Sequence, residues 1–509
     1  MDYSGNTMSD AFNALKERLA DFTHLNQAES VLSWDQETYM PEGAVVDRGE
    51  QLATLGKFAH ELFVAPKTGR LLRDAAKEDV VAQNPDSDEA AIVRVTLRDY
   101  KKERKIPVAF VTELERTRAQ SHQAWIEARK ASDFKHFEPW LVKMVDFARR
   151  YADLQGYKEH PYDALLDSYE PEMRTSLVRK TFAELRAGQV PLVRAISEKA
   201  GTNSDALLHG HFPREKQIEF AKHVSQQFGY DYNHGRMDFA AHPFETSFSA
   251  RDVRITTRLY EDFFNPMLFG TLHETGHALY EQGVSNAFAH TPLEHGVSLG
   301  IHESQSRMWE NLVGRSHEFW EHFYPELQVI FPAQFGHVAL NDFYRAINFV
   351  SPSFIRVEAD EVTYNMHIMV RFELELELIE GKLKVHDLPE AWNARYREYL
   401  GITPPNDAIG VLQDTHWGIG LIGYFATYTL GNLASVQLFE QAQVDIPGLR
   451  DHIRAGNFAP LLQWLRMHIH QYGRKYTPDE LMVKATGKSL SAQPYLTYLK
   501  QKYSQIYGL

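Results

Sequence analysis

Apolar side chains recur at intervals of three and four residues over long segments of this chain, which is the spacing of an amphipathic α-helix. The first such segment begins at Ser9, a good helix N-cap, and its apolar positions are Phe12, Leu15, Leu19 and Phe22. Similar patterns cover residues 107–156, 172–200, 303–322 and 361–380. The last of these ends in alternating Glu and Leu, as a strand also would, but its length and its strong helix formers favour a helix.

Residues 230–257 break the helical pattern. A turn signal at Asn233-His234-Gly235 is followed by the short apolar-polar alternation "DVRIT", so we expect a small β-ribbon here. No fixed-period repeat and no low-complexity linker divides the sequence. The pattern therefore predicts a mainly α protein that forms one continuous unit over residues 1–509, with only a minor sheet.

Composition narrows the possible partners and ligands. The 509 residues carry a net charge of −14, which argues against binding to nucleic acid or to an anionic membrane. The chain has no cysteine, so disulfides are excluded and a zinc site would need histidine and carboxylate ligands. The N-terminal residues do not resemble a signal peptide. Residues 417–434 are apolar but short and interrupted by glycines, so we expect a buried helix rather than a membrane span, in a cytoplasmic protein.

The stretch "GTLHETGHALYEQG", residues 270–283, carries the most specific chemical signal. Two histidines four apart on a helix lie about 40° apart around its axis, so His273 and His277 can reach one metal ion. Glu274 projects near the same face and could act as the base for a water activated by the metal. About 0.1 such matches are expected by chance in a chain of this length. The alternative is a pair of hydrogen-bonded core histidines, but burying His, Glu and His together is costly unless something neutralises them.

A catalytic zinc needs a third protein ligand and one open position. A downstream histidine at the spacing His-x-x-Gly-x-x-His is excluded, because Tyr280 and Gly283 occupy the positions required for Gly and His. The remaining candidates are carboxylates, with two histidines as less favoured choices: Glu281, Glu294, Glu303, His295 and His302. Spacing favours Glu303, at the start of a new amphipathic helix after a loop, over Glu294.

Further short motifs extend along the chain in a fixed order. They are "SWDQETYMP" at 33–41, "HPF" at 242–244, "DVRIT" at 252–256, "HESQ" at 302–305, "IRVEAD" at 355–360 and "GVLQDTHW" at 410–417. Together with "HETGH", these residues resemble the signatures of the Taq-type metallocarboxypeptidases, also called the thermostable carboxypeptidase 1 family. The resemblance spans nearly the whole chain, and no signature position departs from it.

This resemblance implies a neurolysin-like helical fold with a deep active-site cleft, which the N-terminal helices, about residues 1–65, are candidates to cap. It implies a homodimer and one divalent ion per chain, zinc or cobalt, bound by His273, His277 and Glu303. It also implies removal of single amino acids from peptide C-termini with broad specificity and with Pro disfavoured. Glu274 is then the general base.

Other site residues are expected from the signatures and from the chemistry that the reaction needs. An oxyanion requires a donor besides the metal, and His416 and Tyr424 are the candidates. A substrate carboxylate is best held by arginine, which gives Arg356 first and Arg254 second, although ion pairs with Asp360 or Asp252 are the alternative reading. His242 is a candidate to line the cleft, and "HPF" is equally suited to a turn. Glu310 is a candidate to orient the metal-binding histidines.

Two other functions compete with this one. The same fold could serve an endopeptidase or a dipeptidyl carboxypeptidase, and a protein that kept the fold could bind peptides without cleaving them. The presence of Glu274 and of three candidate ligands argues against the non-catalytic alternative.

Overall fold

The computed structural model of the protein describes residues 10–199, 201 and 203–509. These residues form a mainly helical fold with one three-stranded sheet, which confirms the predicted fold class. They divide into two compact units, each built from segments that are far apart in the sequence. Ser9, the predicted N-cap of the first helix, lies outside the described residues.

The first unit comprises the described residues up to Arg104, together with His211–Val297 and Ile446–Ala485. Phe12, Leu15 and Leu19 of its first helix are fully buried, and they pack in one cluster with Phe63 and Leu72. The helical spacing of the apolar positions therefore identified the buried face correctly. The α-helices of this unit are Asp10–Thr38, Val45–Val64, Pro66–Ala75, Asp79–Ala82, Asp88–Glu103, Arg214–Phe228, Asn265–Glu281, Leu449–Arg454, Ala459–His468 and Pro478–Thr486.

The sheet also belongs to the first unit and consists of β1 (Gly235–Phe239), β2 (Glu245–Ser249) and β3 (Asp252–Thr257). β3 is central, parallel to β1 and antiparallel to β2, with an irregular register near Ser249. The sheet lies within residues 230–257, where the sequence predicts a β-ribbon, and the helix Asn265–Glu281 follows it directly.

The second unit comprises Lys105–Gly210, Ser298–Asp445 and Thr486–Leu509. The predicted helical segment 107–156 is two helices in this unit, because Ser132 adopts a left-handed conformation (φ 53°) between them. Its α-helices are Val108–Ala131, Phe134–Gln155, Pro161–Leu166, Thr175–Ser197, Leu299–Arg307, His317–Ile330, Pro332–Phe335, Leu340–Ile347, Tyr364–Glu380, Leu388–Leu400, Ala426–Asp445 and Gln493–Tyr507. A π-helical turn, Met308–Val313, follows the helix Leu299–Arg307.

The apolar segment 417–434 is only partly helical. Residues 417–425 form turns, and the helix begins at Ala426, after Gly420 and Gly423 have adopted positive φ angles of 78° and 94°. Across the part of the chain that is described, none of the helices combines the length and the apolarity needed to traverse a bilayer. The expectations of one catalytic unit and of an N-terminal cap over a cleft stay predictions.

Candidate active site

The helix Asn265–Glu281, called the motif helix below, carries the His-Glu-Thr-Gly-His sequence. Pro266 stands in its first turn, where the missing amide hydrogen costs nothing. The helix packs against β2, β3 and the helix Arg214–Phe228, and 12 of its 17 residues are buried. Thr271 fixes it to the sheet, since its Oγ1 lies 3.2 Å from Thr257 Oγ1 on β3. The two histidines therefore project from a rigid, buried element.

His273 and His277 face the same direction along this helix. Their ring centroids lie 4.9 Å apart with an interplanar angle of 81°, and both side chains are half-buried. Glu274 is only 6% exposed, and the nearby Glu245 on β2 responds to its charge. Burial raises the pKa of Glu245 well above its ordinary value, and the charges of Glu281 and Glu274 raise it further. Three carboxylates, two on the motif helix and one on β2, therefore lie close enough to interact.

The helix Leu299–Arg307, called the ligand helix below, carries Glu303. Its N-terminus is capped twice: Ser298 Oγ accepts from the Ile301 amide at 3.1 Å, and Glu170 Oε1 accepts from the Gly300 amide at 2.5 Å. Burial raises the pKa of Glu170 to about 8, although the hydrogen bonds from Ser298 and Gly300 oppose the rise. Both caps satisfy amide groups that a helix start leaves without intrahelical partners.

Gly431, on the helix Ala426–Asp445, touches the ligand helix at Glu303. A Cβ atom at Gly431 would lie 2.5 Å from Glu303 Cβ, 2.7 Å from Glu303 Cγ and 2.9 Å from the Gly300 carbonyl oxygen. Real Cβ atoms essentially never approach other atoms within 3.0 Å. The absence of a side chain at Gly431 therefore fixes how closely the two helices approach, and with it the position of Glu303.

Arg307 contacts Glu303 from the next turn of the ligand helix. Arg307 Nε donates to Glu303 Oε1 at 2.6 Å, and Arg307 Nη1 donates to Glu310 Oε2 at 3.2 Å. Glu310, expected near the metal-binding histidines, also lies 3.6 Å from Arg315. Glu310 lies on the π-helical turn Met308–Val313, and Arg307 joins it to Glu303. Its role in orienting the metal-binding histidines stays a prediction.

One ligand atom from each of His273, His277 and Glu303 lies within 4.8 Å of the others. Among the described residues, no other group of three His, Cys, Asp or Glu side chains has the geometry to hold a metal ion. Two imidazoles and one carboxylate are a donor set that suits zinc and similar divalent ions, with a coordination position left open. The residues therefore fit such an ion, and their assignment as ligands stays a prediction.

The competing carboxylates have partners of their own. Glu281 accepts hydrogen bonds from Ser247, from the Gly296 amide at 2.8 Å and from His295 at 3.0 Å. Glu294 accepts from Gln27 at 2.8 Å and from the His290 amide at 2.6 Å. Neither these two carboxylates nor His295 and His302 join the group formed by the motif histidines and Glu303.

Residues 410–425, called the 410–425 loop below, carry His416 and Tyr424. Their ring centroids lie 5.4 Å apart, and Tyr424 lies at the same distance from the Tyr428 ring. Burial lowers the pKa of His416 to about 4, so the imidazole is neutral at pH 7. Burial also raises the pKa of Tyr424, and Glu303 contributes to that rise. Tyr424 is therefore a protonated phenol close enough to sense the charge of Glu303.

Arg356 is buried and shares the carboxylate of Asp414 with a second arginine. Arg356 Nη2 donates to Asp414 Oδ1 at 2.9 Å, and Arg371 Nη2 donates to Asp414 Oδ2 at 2.5 Å. Burial alone would raise the pKa of Asp414, but Arg356 and Arg371 lower it well below its ordinary value. Two guanidinium groups therefore face the single carboxylate of Asp414. The alternative partner named from the sequence, Asp360, instead accepts backbone amides of residues 351, 362 and 363.

Arg254 lies in a different environment, on β3. It forms a two-pronged ion pair with Asp252, at 2.8 Å for each contact, which is the alternative reading of "DVRIT". Its guanidinium also lies 4.3 Å from the Trp34 ring centroid and 4.8 Å from that of Phe248. His242 is exposed, between β1 and β2.

Sequence reasoning missed several residues that hold these groups. Asp414 stands inside the "GVLQDTHW" signature, so the sequence pointed to it as a site residue. Its contact with Arg371, 43 positions away, could not be predicted from neighbouring residues. Gly431 gave no signal, because its importance depends on which helices meet. Arg307 follows Glu303 by four residues on one helix, and this spacing is the signal that could have found their ion pair.

A mainly helical protein with two histidines and a carboxylate at this spacing belongs among the metallopeptidases. The carboxypeptidase Taq (M32) metallopeptidase family matches residues 14–503, and the chain belongs to this family. It is thus a metal-dependent carboxypeptidase, and the resemblance read from the signatures is confirmed.

Individual relatives agree over the full chain. The chain is 43% identical to thermostable carboxypeptidase 1 of Thermus thermophilus, with 99% of this chain and 100% of the relative covered. The crystal structure of M32 carboxypeptidase from Deinococcus radiodurans superposes with a TM-score of 0.95 at 42% identity, covering 98% of this chain and 100% of that one. A Pyrococcus furiosus carboxypeptidase structure described as Apo-Mg gives a TM-score of 0.93 at 40% identity, covering 97% and 99% of the two chains.

Proposed function

We propose that this carboxypeptidase binds one divalent cation through His273, His277 and Glu303, with zinc preferred and cobalt as the alternative. The observation that carries the proposal is the approach of one ligand atom from each residue to within 4.8 Å of the others. The chain lacks cysteine, so nitrogen and oxygen donors are its only strong zinc ligands. The choice between metals depends on geometry and availability as well as on ligand type.

Glu274 acts as the proton shuttle of the reaction. When bound, a divalent cation supplies polarisation of the scissile carbonyl and lowers the pKa of water. Glu274 stands between the two histidines in the sequence and is buried on the same helix. It takes the proton from the attacking water and returns it to the leaving amine, as a general base and then a general acid.

His416 and Tyr424 donate hydrogen bonds to the oxyanion that forms at the scissile carbonyl. A neutral imidazole and a protonated phenol each carry one polar hydrogen to donate, and the directions of both pKa shifts keep them in those forms at pH 7. The burial of both rings favours this role, because a donor in a low-dielectric site stabilises developing charge more strongly than one in water.

Arg356 binds the C-terminal carboxylate of the substrate, with Arg254 as the second candidate. The pairing of two guanidinium groups with the one carboxylate of Asp414 supports Arg356, since Arg356 shares its partner with Arg371 and a substrate carboxylate can supply a second one. Arg254 has its own carboxylate, Asp252, and needs no further anion. His242 remains a candidate for contact with the rest of the peptide. Recognition of the carboxylate rather than of a side chain gives broad specificity, with Pro disfavoured.

A homodimer and a cytoplasmic location complete the proposal and stay predictions. The principal test is mass spectrometry of peptides that differ only in a free or an amidated C-terminus. Stepwise loss of single residues from the free acid alone is expected, with loss of activity on chelation and recovery on adding zinc or cobalt. Equal cleavage of the amide would indicate an endopeptidase, release of dipeptides would indicate a dipeptidyl carboxypeptidase, and no cleavage would indicate a binding protein.

A further inference from the structure

The 410–425 loop is held by one buried carboxylate on the helix Tyr364–Glu380. Glu375 is fully buried and accepts hydrogen bonds from three donors. Its Oε1 accepts from Trp417 Nε1 at 2.7 Å, and its Oε2 accepts from the Gly423 amide at 2.9 Å. The third donor, Tyr162 Oη, lies 2.6 Å from Oε2. Glu375 therefore connects two points of the loop to one helix.

These two points are the sequence neighbours of His416 and Tyr424. Trp417 directly follows His416, and Gly423 directly precedes Tyr424. Between them the chain forms turns, and backbone hydrogen bonds from residues 419, 420 and 421 hold only the part of the loop near His416. A shift at either contact with Glu375 would move one of the two candidate oxyanion donors.

Two further features of the structure, at Gly423 and at Arg371, hold the 410–425 loop in the same position. Gly423 has φ +94°, and a Cβ atom there would lie 2.9 Å from Leu165 Cβ, so the position requires glycine. Arg371, one turn before Glu375 on the same helix, holds Asp414 at the start of the same segment. One helix thus fixes the loop at three places through charged side chains.

We propose that Glu375 is a positioning residue that sets the places of His416 and Tyr424 for the reaction. The inference rests on the proposed oxyanion role of those two residues. Burying a carboxyl group has an unfavourable desolvation free energy, and an apolar side chain of similar size would fill the same space without it. Burial raises the pKa of Glu375 to about 7 even though all three donors oppose the rise. Its position is explained by the two loop donors that it joins.

The direct test is Glu375→Gln, measured by kcat, KM and cobalt affinity. An amide keeps one acceptor oxygen, so its NH2 group must face either Trp417 or the Tyr162 and Gly423 donors, and one end of the loop loses its contact. We expect kcat to fall about 10-fold to 100-fold, because misplacement of a reacting group by about 1 Å has effects of that size. KM and the dissociation constant for cobalt should stay at the parent values.

Glu373→Gln is the matched control. Glu373 lies on the same helix and accepts from a tyrosine at the same distance, Tyr399 Oη at 2.6 Å, but its partners Tyr399, Arg395 and Arg186 belong to other helices. This variant should lower thermal stability and leave kcat unchanged. A kcat loss in Glu373→Gln equal to that in Glu375→Gln would overturn the proposal, because the effect would then reflect general loosening of the helix.

Trp417→Phe removes the same hydrogen bond from the loop side and decides the question if Glu375→Gln does not fold. It should lower kcat, and the double variant should lose less than the product of the two single losses. Parental kcat in either folded variant would overturn the positioning role.

His416→Ala and Tyr424→Phe separate this proposal from the one on which it rests. If both keep the parental kcat, the oxyanion assignment fails and Glu375 has no donors to position. If both lose kcat while Glu375→Gln does not, only the positioning role fails.

Discussion

Substituting Gly431 with alanine should weaken metal binding without touching any ligand. The new Cβ would lie 2.5 Å from Glu303 Cβ, whereas ordinary contact begins at 3.4 Å, so the two carbons must separate by about 0.9 Å. Rotation of the Glu303 side chain cannot relieve this contact, because Cβ is fixed to the backbone. The Gly300 carbonyl oxygen would be too close as well, at 2.9 Å, so the ligand helix itself must move.

A displacement of this size is large for a metal site. Ligand distances in such sites hold to within about 0.2 Å, so a shift of about 0.9 Å must be partly absorbed by poorer coordination. We expect the dissociation constant for cobalt or zinc to rise about 10-fold to 100-fold, as when supporting residues around a metal site are changed. Overpacking should also lower the free energy of unfolding by about 1–3 kcal/mol.

Cobalt titration followed by visible absorption measures the affinity directly, and chemical denaturation of the metal-free protein measures stability. The matched control is Gly49→Ala, another helical glycine whose Cβ would have no atom within 4 Å. That variant should bind cobalt as the parent does and be more stable by up to about 1 kcal/mol, since alanine favours helix. A folded Gly431→Ala protein with parental cobalt affinity would refute the claim that this helix contact positions Glu303.

Three further predictions follow from the site. Glu274→Gln should bind cobalt normally and lower kcat by about 10²–10⁴-fold, and appreciable hydrolysis by this variant would remove its role as proton shuttle. Arg356→Gln should raise KM for free-acid peptides by roughly 10-fold to 100-fold, whereas Arg254→Gln should not; the reverse result would transfer the anchor to Arg254. Glu170 has a raised folded-state pKa of about 8, so the stability it provides is full below about pH 4.5 and is lost as pH rises to about 8. Between pH 5 and 8 the free energy of unfolding should therefore fall less steeply with pH in Glu170→Gln than in the parent, by up to about 1.4 kcal/mol per pH unit. An identical slope in the two proteins, measured by chemical denaturation, would contradict the raised pKa.

Local patterns predicted the elements and the motif, because they depend on residues within a few positions of one another. Helical spacing identified Phe12, Leu15 and Leu19 as buried, and the turn signal at residues 233–235 located the sheet. The choice among the candidate third ligands stayed open when judged from spacing alone. It depends on partners such as Gln27, which binds Glu294 across 267 positions of sequence.

The contacts that surround the site could not be predicted from local sequence patterns, because they join residues that are far apart in the sequence. Arg371 and Asp414 stand 43 residues apart, and the approach of Gly431 to Glu303 depends on how two helices cross. The helical pattern over residues 303–322 also concealed a break, because a π-helical turn, Met308–Val313, and a turn at residues 314–316 separate two α-helices there.

The widened turn after the ligand helix has an evolutionary consequence. A π-helical turn accommodates one more residue than an α-helical turn without ending the helix. Insertions or deletions in the following segment can be absorbed there, while Glu303 stays held by the Ser298 cap upstream and by its contact with Gly431. Changes in chain length between residues 308 and 313 should thus be tolerated in related enzymes more readily than changes between residues 298 and 307.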